Sequence, residues 1–160
     1  MLQYQTIEPG TLELLKQLQS LPFLSNTRLV GGTALALQLG HRKSVDLDFV
    51  NYRYPWIDSP VIENGVCLAG IRDIAAMKVS AIIGRGTKKD FIDLYYLLEK
   101  FSLREILDLY MRKYPDGNMF IAMKSLSYFE DAESDPMPFM FEKIDWEQVK
   151  NRVREWLKEI

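Results

Sequence analysis

The chain has 160 residues, of which 48% are hydrophobic, so it can bury one core of ordinary size but not two independent domains of typical length. Acidic residues outnumber basic residues by only 22 to 20, which excludes a strong overall field toward nucleic acid or an anionic membrane. The single cysteine, Cys67, excludes an internal disulfide. Because the first ten residues lack the basic and long apolar regions of a secretory signal, we expect a cytoplasmic protein.

The N-terminal third predicts a helix, a strand and a second helix. Leucines recur at helical spacing over residues 12–18, after a proline and a glycine, which predicts a first helix that ends near residue 21. The next segment predicts a strand over residues 27–30 and a helix over residues 33–39. The pair Gly31-Gly32 lies between this strand and this helix and predicts a turn.

Residues 44–49 alternate between polar and apolar side chains, which is the periodicity of a strand with two different faces. This pattern predicts that Asp46 and Asp48 lie on the same polar face. Two neighbouring carboxylates suit a magnesium ion that already carries phosphate oxygens. An edge strand with a solvated polar face explains the same pattern, and the residues alone leave both interpretations open.

The remainder of the chain predicts little sheet and many helices. Residues 51–65 carry two prolines and an Asn-Gly pair, which predict at best a short strand followed by irregular chain and a turn. Residues 66–69 predict a further strand, and the pattern is helical from Ile71 onward. The sequence therefore predicts an α+β protein of one domain, with a small mixed sheet in residues 1–70 and a helical part in residues 71–160.

Several helices have recognisable start signals. A capping side chain followed three residues later by an acid or amide satisfies the free N–H groups of a first turn. These signals begin at Thr87 (with Asp90), Ser102 (with Glu105), Asn118, and Asp145 (with Gln148).

Each candidate functional residue also has an ordinary structural interpretation. The glycine pair could present backbone N–H groups to an anion, or it could form a tight turn in which Thr33 caps the helix. Lys78 alone would be read as a side chain whose stem covers apolar surface while its amine reaches water. Asp93 could form an exposed pair with Lys89, and Asp90 is expected to be a helix cap.

Two separated blocks of sequence resemble a known family. Residues 29–49, LVGGTALALQLGHRKSVDLDF, resemble the first signature of AbiEii-type nucleotidyltransferases in the DNA polymerase β-like superfamily. Residues 73–98, DIAAMKVSAIIGRGTKKDFIDLYYLL, resemble the later signature, in which a helical lysine precedes an arginine-glycine turn and an Asp-X-X-Asp motif. The resemblance implies a nucleotidyltransferase core. It also implies magnesium-dependent transfer of a nucleoside monophosphate from a triphosphate to a hydroxyl, by the toxin of a type IV toxin-antitoxin pair.

The resemblance also implies a role for individual residues. Asp46 and Asp48 would bind magnesium, and Lys78 would neutralise phosphate charge. Asp93 would complete the catalytic set by orienting or deprotonating the acceptor. The nucleotide-binding set would consist of Gly31, Gly32, Thr33, Ser44 and Arg85.

The implied partners are a nucleoside triphosphate, an acceptor that is an RNA such as tRNA or a protein, and a cognate antitoxin. Family members usually have a longer stretch between the aspartate strand and the lysine helix, whereas only residues 50–72 separate them here. A second hypothesis therefore stays open, in which the chain is a shortened and catalytically inactive module of the same fold that binds nucleotide or protein.

Overall fold

A computed structural model describes the whole chain, from Met1 to Ile160. The chain forms two compact units, Met1–Ile74 and Ala75–Ile160, and this division falls close to the predicted boundary after residue 70. The first unit contains a four-stranded mixed sheet, and the second is helical. The predicted α+β class is confirmed.

The first unit combines two helices with the sheet. Pro9 stands at the start of the first helix, where its missing N–H costs no hydrogen bond. Gly40 ends the second helix in a left-handed conformation, with φ of 75°. The elements are a 3-10 turn at Tyr4–Thr6, α1 at Pro9–Ser20, β1 at Thr27–Val30, α2 at Gly31–Leu39, β2 at Asp48–Asn51, β3 at Val61–Glu63 and β4 at Val66–Leu68.

The sheet has the strand order β2-β1-β4-β3. All four residues of β1 are buried, and this strand pairs antiparallel with β2 and parallel with β4. Strands β3 and β4 form a hairpin whose turn, Asn64-Gly65, has φ angles of 49° and 79°. The predicted Asn-Gly turn is confirmed, whereas β3 was not predicted as a strand. The register of β1 and β2 places Val30 opposite Asp48, which brings the start of β2 to the end of β1.

The second unit is built from helices, most of which have a side-chain cap at the N-terminus. Helix α3, Ile71–Gly84, begins in the first unit and continues into the second. Reciprocal capping boxes open three of the later helices, as the sequence predicts, and Asn118 caps a fourth. No helix is both long and apolar enough to cross a membrane. The later helices are α4 at Lys88–Leu98, α5 at Leu103–Lys113, α6 at Met119–Leu126, α7 at Glu130–Glu133 and α8 at Trp146–Lys158.

Candidate functional site

The glycine pair forms the first turn of helix α2, which begins at Gly31 directly after β1. Gly31 has φ of 72°, a conformation that favours glycine. A Cβ atom added at Gly31 would lie 2.9 Å from Oδ2 of Asp48. The absence of a side chain at Gly31 therefore lets the Asp48 carboxylate lie against the start of helix α2.

No side chain caps helix α2, since its N-cap residue is Val30 and makes no side-chain hydrogen bond. The interpretation of Thr33 as the helix cap is therefore wrong. The first N–H groups of an α-helix have no partners within the helix and carry partial positive charge, which makes a helix N-terminus an anion site. The Asp48 carboxylate therefore lies beside the N-terminus of helix α2, which no side chain caps.

Thr33 has a different role, because its side chain is buried and 1% exposed. Its hydroxyl lies 2.8 Å from the Ser44 hydroxyl and also donates to the backbone carbonyl of Asp46. These bonds tie the segment that carries Asp46 to the first turn of helix α2. Thr33 and Ser44, both in the predicted nucleotide-binding set, therefore use their hydroxyls to order this segment.

The alternation predicted for residues 44–49 is only partly present. Strand β2 begins at Asp48, so Asp46 precedes the strand, and Val45 is 58% exposed although the pattern placed it on an apolar face. Thr33 is the physical reason, because its bond to the Asp46 carbonyl holds this segment to helix α2 before the ladder with β1 begins. Both aspartates are nevertheless exposed.

The carboxylates of Asp46 and Asp48, together with the start of helix α2, fit a magnesium ion that carries phosphate. No group of three or more histidine, cysteine, aspartate or glutamate side chains in the chain could hold a metal ion. Magnesium is usually bound through one or two carboxylates, and substrate phosphates and water complete its shell. Asp46 and Asp48 could supply the two carboxylates, and phosphate at the start of helix α2 could supply further oxygens.

Four more of the candidate residues lie together in the second unit. The Lys78 amine in helix α3 lies 2.7 Å from Oδ2 of Asp93 and 3.0 Å from Oδ1 of Asp90. Arg85, in the turn after α3, donates to Asp90 through two nitrogens at 2.9 Å and 3.1 Å. We call these four residues the buried ion cluster, although the Arg85 side chain itself is 65% exposed.

The acids of the cluster are fully buried, with both Asp90 and Asp93 at 0% exposure, and Lys78 is 4% exposed. The expectations of a solvated Lys78 amine and of an exposed pair between Asp93 and Lys89 are therefore wrong. Asp90 does accept the capping bond that the sequence predicts, and the Thr87 hydroxyl also donates to it over 2.7 Å. Asp90 thus joins the cap of helix α4 to the side chains of Lys78 and Arg85.

Burial alone would raise the pKa of Asp90. The hydrogen bond from Arg85, the charge of Lys78 and the bond from Thr87 outweigh burial and lower that pKa to about 2. Asp90 is therefore ionised at neutral pH. The Lys78 amine lies within ion-pair distance of both Asp90 and Asp93, so its buried charge is paired, as buried charges require.

The short connection between β2 and α3 makes contacts that the sequence did not predict. The Asp73 carboxylate accepts hydrogen bonds from the backbone N–H groups of Ile57 and Asp58, at 2.8 Å and 2.9 Å. Arg28 donates to the Asp58 carbonyl over 2.7 Å, and its guanidinium lies 4.4 Å from the ring centroid of Trp56. An acid in the first turn of α3 was the available signal, but the sequence does not show what that acid would bind.

Comparison with known proteins identifies the family of the chain. The sequence model of one family, described as "Nucleotidyl transferase AbiEii toxin, Type IV TA system", matches residues 13–65 and 55–159. The chain belongs to the AbiEii family. Members of the AbiEii family are nucleotidyltransferase toxins, and membership implies a nucleotide substrate and an antitoxin partner.

One relative is an uncharacterized protein, aq_aa25, from Aquifex aeolicus (strain VF5). It is 33% identical over 200 residues, which cover 91% of this chain and 95% of the relative. No solved structure matches the chain.

Both comparisons agree with a shortened connection in this AbiEii protein. The family match is broken into two parts that meet at residues 55–65. The alignment with the relative spans 200 residues although this chain has 160, so the relative has residues without a counterpart here. The break in the family match lies between β2 and α3, where the sequence suggested a missing segment.

Proposed function

We propose that this protein uses magnesium to transfer a nucleoside monophosphate from a nucleoside triphosphate to a hydroxyl of an RNA, such as tRNA, or of a protein. It would act in the cytoplasm as the toxin of a pair with a cognate antitoxin. The observation that carries the proposal is the Asp48 carboxylate against Gly31, at a helix N-terminus that no side chain caps. This arrangement offers a place for phosphate beside a place for a cation.

In the proposed reaction the first turn of helix α2 binds the phosphates through backbone N–H groups. Asp46 and Asp48 would hold magnesium, which offsets the negative charge of the triphosphate when it is bound. The acceptor oxygen bonds to the α-phosphorus, the bond from that phosphorus to the β-phosphate oxygen breaks, and pyrophosphate leaves. The resemblance gives the acceptor proton to Asp93 and the phosphate charge to Lys78, but these two side chains are buried and bond each other. In the proposed reaction the acceptor proton therefore passes to water.

The test is transfer of label from triphosphates to acceptors in a cell extract. With magnesium present, α-labelled triphosphate should label an acceptor and γ-labelled triphosphate should not. The double variant Asp46→Asn, Asp48→Asn should lose this labelling. A double variant with the same change of charge at two exposed acids, Asp108→Asn and Asp116→Asn, should keep it.

Ribonuclease and protease treatment of the labelled product then shows whether the acceptor is RNA or protein. An unchanged labelling pattern from the Asp46→Asn, Asp48→Asn variant would contradict the proposal.

The shortened connection favours a second candidate, a module of the same fold that binds nucleotide or a protein without turnover. Titration calorimetry of each triphosphate in the presence of magnesium separates the two functions. Saturable binding without label transfer to any acceptor supports the module, and measured turnover excludes it.

A further inference from the structure

The second unit contains a cavity of about 560 Å³, and of the buried ion cluster only the exposed Arg85 reaches its wall. Its walls come from the end of helix α3, the turn before α4, helix α6 and the segment after α6. Small-molecule sites typically have volumes of roughly 300 to 1,000 Å³, with mostly apolar walls and a few polar groups. The side chains of its wall include Ile82, Ile83, Arg85, Ile121, Lys124 and Tyr128, together with one acid, Asp131.

Helix α6 presents large apolar side chains to solvent. Only Ala122 and Leu126 of its eight residues are buried, while Phe120 is 75% exposed and Ile121 is 48% exposed. Tyr128, just after this helix, is 51% exposed. Exposed apolar groups that gather around a concavity mark a binding surface more often than scattered ones do.

Polar groups are placed around the same apolar walls. Lys124 is exposed and forms no ion pair, so its charge is available to an anion. Arg85 is held in one orientation by its two bonds to Asp90. Tyr128 contributes an aromatic ring to the wall of the cavity. An apolar wall, an aromatic ring and a cation are what a base with an attached phosphate would contact.

We propose that this cavity binds a nucleotide, with its base on the Tyr128 ring and the isoleucine walls and its phosphate on Lys124 and Arg85. The proposal goes beyond the proposed transfer reaction, because it requires no turnover.

The test uses the full chain with Asp46→Asn and Asp48→Asn, in EDTA, so that the proposed magnesium site is disabled. Titration calorimetry with the four ribonucleoside monophosphates should still show saturable binding at one site. The matching nucleosides should bind more weakly because they lack phosphate. Binding in this variant is therefore independent of whether the protein transfers nucleotides.

Variants of the cavity then assign the contacts. Lys124→Ala should weaken monophosphate binding by about tenfold and leave nucleoside binding unchanged, since one charge-assisted contact is lost. Tyr128→Ala should weaken both by about tenfold, the effect expected from loss of one base–aromatic stack. Ile121→Glu provides a second test of the apolar wall, and far-UV circular dichroism confirms that each variant is folded. Lys100→Ala removes an exposed lysine outside the cavity and should have no effect.

A short oligouridylate distinguishes the two sources of a nucleotide. Competition between the oligonucleotide and the monophosphates indicates that the cavity takes a unit of single-stranded RNA, whereas binding of the monophosphates alone indicates a free nucleotide. The absence of saturable binding by any monophosphate at millimolar concentration would overturn the proposal. So would equal effects of Lys124→Ala and Lys100→Ala on monophosphate binding.

Discussion

The two pairs of aspartates in this protein have opposite environments. Asp46 and Asp48 are exposed and form no ion pair. Asp90 and Asp93 are fully buried and bond the cationic side chain of Lys78. An exposed acid keeps its capacity for an outside ligand, whereas a buried acid must first neutralise a buried cation. Substitutions at the first pair should therefore report on ligands, and substitutions at the second should report on folding.

The largest expected effect is on the buried pair. Asp93→Ala leaves the Lys78 amine buried with one carboxylate fewer, which should lower the free energy of unfolding by about 3 kcal/mol. Urea denaturation followed by circular dichroism measures this loss. Asp46→Ala serves as the exposed counterpart and should not change the unfolding midpoint measurably. Equal losses from the two substitutions would remove the distinction between the pairs.

The second expected effect is a dependence of stability on acid. The pKa of Asp90 is about 2 in the folded chain, below its ordinary value of 3.8, so the folded state holds its carboxylate more strongly than the unfolded state does. This contribution is fully present above pH 3.8 and is lost as the pH falls toward 2. Its size is about 2 kcal/mol, from 1.4 kcal/mol per pKa unit.

Urea denaturation of the wild type between pH 5 and about pH 2 should show this loss. Asp90→Asn should be less stable at pH 5 and should have a flatter dependence on pH. Asp48→Asn is the exposed counterpart, and it should retain the wild-type dependence. If the free energy of unfolding of Asp90→Asn depended on pH as steeply as that of the wild type, Asp90 would not be the source of the acid dependence.

The smallest expected effect tests the close approach of Gly31 to Asp48. Gly31→Ala imposes both an unfavourable positive φ and a contact with the carboxylate, whereas Gly65→Ala imposes only the positive φ, since nothing lies within 4 Å of an added Cβ there. Gly31→Ala should therefore destabilise the protein by about 1 kcal/mol more than Gly65→Ala. In a chain that also carries Asp48→Ala the excess should disappear, and thermal denaturation of the four variants measures this coupling. If Gly31→Ala remained more destabilising than Gly65→Ala in the Asp48→Ala chain, contact with the Asp48 carboxylate would not be the cause.

The features that the sequence predicted well depend on neighbouring residues. Thr87 with Asp90, Ser102 with Glu105 and the turn at residues 64–65 each satisfy local backbone groups, so their patterns are visible over four residues or fewer. The glycine pair was predicted as a turn between β1 and the next helix, but helix α2 already begins at Gly31. The resemblance added the identity of the family to these local patterns.

The features that the sequence missed depend on distant partners. Strand β3 has three residues, too few for a periodic signal, and it is defined by its ladder with β4. The start of β2 was predicted too early, because a hydroxyl on another element holds Asp46. The burial of Lys78 could not be predicted, since a lysine is normally solvated unless acids from elsewhere surround it. Its two acids follow it by 12 and 15 positions and belong to another helix.

The contacts of the short connection have a consequence for the insertion of a longer segment between β2 and α3. The Asp73 carboxylate accepts bonds from the backbone of Ile57 and Asp58, and the Trp56 ring packs on Arg28. Residues 56–58 are therefore held in place before α3 begins. Extra residues inserted between Arg53 and Tyr54 would leave the bonds to Asp73 in place, although they would separate Trp56 from the Tyr52 carbonyl to which its indole N–H donates. Because the entropy of closing a loop grows only with the logarithm of its length, such a graft would be tolerated. A longer segment can therefore be inserted into this chain between β2 and α3.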